Sequence, residues 1–111
     1  MSNVADIRRK IFITTSDGEK RQIRFTMNAL ADLELKYGSI DEAMDKMQKG
    51  SIIAIRYVLW SGLRSIDKTL TEEAVGDMID VSDFERLVTE LGKALNGDMP
   101  KEEPEVVADP N

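Results

Sequence analysis

Over the first quarter of the chain apolar residues fall in short β-branched runs, and after Thr26 they recur every three or four positions. Residues Ile7–Thr15 (IRRKIFITT) and Lys20–Thr26 (KRQIRFT) flank the polar stretch Ser16-Asp17-Gly18-Glu19. An Asp-Gly pair between two such runs predicts a β-hairpin, because glycine tolerates the positive φ of a tight turn. Ile11 and Ile13 then share one face, as do Ile23 and Phe25, while Arg21, Gln22 and Arg24 read as a solvated or edge position. A lone two-stranded hairpin is marginal in water, so this one must lean on the helices or pair with another chain.

The helical pattern begins with Thr26 or Asn28 as N-cap and Leu30, Leu33 and Tyr37 as a stripe ending at Gly38. Ser39 or Asp41 caps a short helix with Ile40, Ala43, Met44 and Met47 on one side, closed by Gly50. The next stretch, Ser51–Ile66 (SIIAIRYVLWSGLRSI), is apolar nearly all round, and a helix of that kind must be covered by other elements. Ile55, Leu59, Trp60 and Leu63 are its expected contribution to the core. Its length falls well short of the roughly 20 apolar residues of a membrane span. Thr71-Glu72-Glu73 marks another N-terminus, with Leu70, Ala74, Val75, Met78 and Ile79 as the buried side. Val81-Ser82-Asp83 caps a last helix carrying Phe84, Leu87, Val88, Leu91 and Leu95 and ending at Gly97. The expected fold class is mainly α (α+β): an N-terminal hairpin over about residues 7–26, then a bundle of about five short helices around a central apolar helix. Residues 1–97 form one domain. Residues 98–111 hold all the prolines and a run of carboxylates, and are expected to be a disordered acidic tail.

Composition narrows the function. A net charge of -6 repels a phosphate backbone, so nucleic acid is not an expected partner. The chain has no histidine and no cysteine, which removes the usual general base at neutral pH, the thiolate nucleophile and nearly all transition-metal sites. No catalytic residue, cofactor site or metal site is therefore expected, and the chain reads as a non-enzyme. Without a signal-peptide pattern or membrane span it is expected in the cytoplasm. Asp41, Glu42 and Asp45, and Glu72, Glu73, Asp77 and Asp80, share helix faces and carry oxygen ligands suited to Mg²⁺ or Ca²⁺. They lack the glycine-centred loop of an EF-hand, and a solvated face is the preferred reading. Gly62, Gly76 and Gly92 lie within predicted helices, which favours close packing over a phosphate cradle. Arg56 and Arg64 fall on one side of the central helix, placed for ion pairs with neighbouring helices. The candidate docking residues are Phe12 and Phe25 on the hairpin, which either cover the domain's own core or meet a neighbouring subunit, Met44 and Met47 as soft thioether contacts, with core filler the preferred reading, and Val88 and Leu91 on the last helix.

Two stretches together, IRFTMNALADLELKYGSIDEAM and VLWSGLRSIDKTLTEEAVGDMID, resemble the tail assembly chaperones of long-tailed bacteriophages and related prophages. The resemblance rests on the Thr-x-Asn-Ala-Leu helix start, the acidic helix ending in Tyr-Gly, the Leu-Trp-Ser-Gly-Leu helix and the Leu-Thr-Glu-Glu-Ala-Val-Gly start, and covers about Gln22 to Asn96. It implies a small helical protein that binds the tape measure protein, keeps it soluble and helps recruit tail tube subunits. Such a protein works in the cytoplasm of the bacterial host, possesses no enzymatic activity, is compatible with a homo-oligomer and is absent from the mature virion. The family also implies a longer frameshifted form. The competing reading is a small acidic adaptor or inhibitor that caps one globular partner.

Overall fold

The computed structural model describes residues 11–98; the expected strand residues Ile7–Lys10 and the tail after Asp98 lie outside them. Strand β1 (Ile11–Thr14) pairs antiparallel with β2 (Lys20–Ile23), Ile11 opposite Ile23 and Ile13 opposite Arg21. At the turn, the Gly18 amide donates to the Thr15 carbonyl at 2.9 Å with Gly18 at φ 87. Side chains alternate as the pleat requires: Ile13 and Ile23 are buried and Phe12 is half exposed. β2 stops short of the expected Thr26 because the Arg24 amide leaves the hairpin and donates to the Gly62 carbonyl at 3.1 Å.

Helix α1 (Met27–Tyr37) starts at Thr26, whose hydroxyl accepts from the Ala29 amide at 3.2 Å; Gly38, at φ 92, ends it. Ser39 caps α2 (Ile40–Gln48) in the same way through the Glu42 amide. Ser51 caps α3 (Ile52–Arg64) and Thr71 caps α4 (Glu72–Gly76). Thr26 and Ser39 are thus the caps, rather than Asn28 or Asp41, because a hydroxyl one residue outside the first turn can reach its free amides. Val81–Asp83 makes a 3₁₀ turn of its own before α5 (Phe84–Asp98). α5 runs through Gly97, expected as its end, and among the described residues positive φ occurs at Gly18, Gly38 and Gly50 only.

α3 is the hub of the hairpin-plus-five-helix fold, packing against α1, α2, α4, α5 and β2. Ile55, Leu59 and Leu63 lie in the core as expected, with Val58 and Ala54 beside them. Trp60 is a correction. It is only partly buried, lying against Tyr57 and beneath the Arg64 guanidinium, with its Nε1–H donating to the Leu70 carbonyl at 3.0 Å. The indole ties α3 to the loop before α4 instead of filling the centre. The cover of α3 is also incomplete, with Ile52 62% and Ile53 64% exposed. α4 is about 8 Å long against about 20 Å for α3, so it cannot shield the N-terminal turn.

Both arginines of α3 pair as expected, Arg56 with Glu72 of α4 at 3.7 Å and Arg64 with Asp32 of α1 at 3.2 Å. Of the three helical glycines, Gly62 is the close-packing site: a Cβ there would stand 2.5 Å from Ile23 Cγ1 and 2.9 Å from Phe25 Cζ. At Gly76 only the flexible Arg56 chain is near, and at Gly92 the nearest atom is 3.8 Å away. Ser16 fastens the hairpin loop to the opposite side of the domain. Its hydroxyl donates to Asp83 Oδ2 at 2.6 Å and accepts from the Asp80 amide at 2.7 Å, and its amide donates to the Met78 carbonyl. No helix among the described residues is long and apolar enough to cross a membrane.

Candidate functional site: an apolar groove with an acidic rim

The short reach of α4 leaves a groove of about 320 Å³ between the N-terminal half of α3, the 3₁₀ turn and the start of α5. Its floor is core: Ile55, Leu59 and Leu87 are at most 2% exposed. Its walls are Ile52, Ile79, Val81 and Phe84, of which Val81 is 79% exposed. The local sequence explains the opening. Asp80 is extended, and the 3₁₀ turn that follows brings Val81 to the mouth, while Ser16 pins the segment from behind. The rim carries Glu73, Asp77 and Asp80, all exposed, and among the described residues the one cation lining the groove, Arg56, faces Glu72.

A second, more polar furrow between α2 and α5 meets the first at Phe84, which lines both. It gathers Met47, Lys49, Glu85 and Val88, and beyond it Met44, Val88 and Lys93 border a further hollow. Of the docking residues expected from sequence, Met44 and Val88 are therefore brought together at the α2–α5 seam, both partly buried. Phe12 lies on the outer face of the hairpin opposite Gln22, half exposed. Phe25, Met47 and Leu91 are corrections as docking residues: at 3%, 0% and 0% exposure they are core residues, the alternative already open for Phe25 and preferred for Met47. Phe25 is drawn in by the close approach of the hairpin to Gly62, and Met47 and Leu91 by the α2–α5 contact. Ile52, Ile79, Val81 and Phe84 were read as ordinary stripe or cap positions. The apolar excess around Ile52 reads as a sign of full cover, so no sequence signal marked this face as open.

Among the described residues the perturbed titratable groups include Asp17, Tyr37 and Tyr57. The Thr15 hydroxyl bonded at 2.6 Å, with the Glu19 amide and Arg21 behind it, holds the Asp17 carboxyl below its ordinary value. Burial raises the Tyr37 and Tyr57 phenols, helped at Tyr37 by Tyr57 and Glu72 and at Tyr57 by the carboxylates of Asp32 and Glu72, against the opposing pull of Arg64. The two rings meet edge-on with centroids 5.8 Å apart, and the enclosed Tyr37 hydroxyl has no hydrogen-bond partner among the described residues. Among those residues no three acids converge as a cation site would require. Comparison with protein-family models, curated proteins and solved structures finds no match.

Proposed function

We propose that the chain is a tail assembly chaperone of the long-tailed phage type, a non-enzymatic protein that binds the tape measure protein in the host cytoplasm. It keeps that client soluble, helps recruit tail tube subunits and is left out of the finished virion. The observation that carries this reading is the apolar groove with Ile52 and Val81 held open at its mouth, beside the sequence resemblance over Gln22 to Asn96.

Magnitudes favour a long client over a single globular partner. Covering the exposed parts of Ile52 and Val81 yields about 1–2 kcal/mol each. Association itself costs at least about 4 kcal/mol, so one groove holds a client weakly. Many copies along a long chain suit that strength, since each copy adds to the solubility of the whole. The net charge of -6 acts in the same direction by keeping coated clients apart.

Co-expression with the tape measure protein of the same genome tests the reading. The client is expected to become soluble and to co-purify with this chain. A client that stays insoluble and alone would remove the proposal and leave the single-partner adaptor in its place.

A further inference from the structure

Resting on that reading, we propose that the segment the groove receives is a basic amphipathic helix: an apolar stripe at i, i+3 or i+4 and i+7, flanked by lysine or arginine. The shape argues for a helix. The groove is bordered by α3, α4, the 3₁₀ turn and α5, and no strand residue lines it. An extended peptide would find no sheet edge there to satisfy its amides, whereas a helix satisfies its own and offers side chains alone. A volume of about 320 Å³ stands at the lower end of ligand pockets, which span about 300–1,000 Å³, and suits the few anchor side chains of one helix face.

Charge selects the sign. Glu73, Asp77 and Asp80 rim the apolar walls, and Arg56 is neutralised locally by Glu72, so among the described residues three carboxylates remain without a paired cation at the mouth. The chain's own last residues, with Glu102, Glu103, Glu105 and Asp109, would be repelled. A second copy seated groove to groove would set one acidic rim against another. A helix with Lys or Arg beside its apolar stripe meets both features at once, its cations on the rim and its stripe against Ile52, Ile79, Val81 and Phe84.

The test uses the full chain and two synthetic peptides of about 18 residues, a length of about 27 Å as helix. They share one leucine stripe and carry lysines or glutamates beside it. Fluorescence anisotropy is expected to show the lysine peptide binding at least about tenfold tighter than the glutamate peptide, with the advantage shrinking as salt rises. Val81→Glu and Ile52→Glu, both at exposed positions, should each weaken the lysine peptide about tenfold or more, while Leu35→Glu on α1 should change nothing. The combined Glu73→Lys, Asp77→Lys, Asp80→Lys variant should reverse the preference. Equal binding of the two peptides, or binding unaffected by both groove variants, would overturn the inference. So would sedimentation showing that Val81→Glu converts a dimer to a monomer, since the occupant would then be a second copy. Absence of peptide binding in a chain that still co-purifies with the tape measure protein would overturn the inference alone. Selective peptide binding without any effect on that client would uphold it and remove the chaperone reading.

Discussion

Adding one methyl group to two glycines of this protein should move stability in opposite directions. Gly62 and Gly92 both lie inside helices, where alanine is intrinsically better than glycine by about 1 kcal/mol. At Gly92 the nearest atom to a new Cβ is Gln48 Nε2 at 3.8 Å, an ordinary contact, so Gly92→Ala should stabilise by about 0.5–1 kcal/mol. At Gly62 the same Cβ stands 2.5 Å and 2.8 Å from Ile23 Cγ1 and Cδ1 and 2.9 Å from Phe25 Cζ. Neither side chain can swing clear, since Ile23 is 0% and Phe25 3% exposed. Overpacking of that kind costs about 1–3 kcal/mol, and a clash this short belongs at the upper end. After the propensity gain, Gly62→Ala should lose about 2 kcal/mol. The gap between the variants is then about 2.5–3 kcal/mol, readable as a change in urea midpoint at constant slope, followed by circular dichroism. Ile23→Ala in the Gly62→Ala background should cost less than in the parent, because it removes the atoms the methyl strikes. If Gly62→Ala stabilises as Gly92→Ala does, β2 is not seated on α3 at this glycine, and the hairpin packing described above is wrong.

Two further outcomes follow from single groups. Tyr37→Phe removes a hydroxyl that is enclosed without a partner, so it should raise stability by about 1 kcal/mol, and a loss in the same urea assay would mean that the oxygen is bonded. Asp17 has its pKa lowered in the folded state, chiefly by the Thr15 hydroxyl, so its stabilising contribution is full above the unfolded value of 3.8 and disappears as pH falls through the lower folded value. The melting temperature of Asp17→Asn should accordingly drop less than that of the parent between pH 5 and pH 2.5, as steps of about this size bracket the titration. Equal drops would remove the Asp17 turn network as a source of acid sensitivity.

Much of the fold was legible because its signals are local. The Asp-Gly turn, the caps Thr26, Ser39 and Thr71, and the glycines after α1 and α2 act within a few residues of themselves. The all-round apolar character of Ile52–Arg64 marked it as the hub, and the arginines on it found the acids expected of neighbouring helices. The site was less legible. Leu91 was offered for docking, Phe25 and Met47 for docking or core, and Ile52 and Val81 as stripe and cap positions; the structure buries the first three and exposes the last two. Side-chain type says that a residue prefers burial, but not whether a partner element is long enough to bury it.

The sequence by itself determined which segments are strands and helices, and that the helices gather around α3, because periodicity, caps and turn residues act over one or two turns. Only the tertiary structure decided that the hairpin lies on Gly62, that Ser16 reaches across to Asp80 and Asp83, and that α4 ends too early to cover α3. Those facts depend on distances between residues far apart in the chain. The groove is their product: a gap left where a helix of five residues lies against one of thirteen.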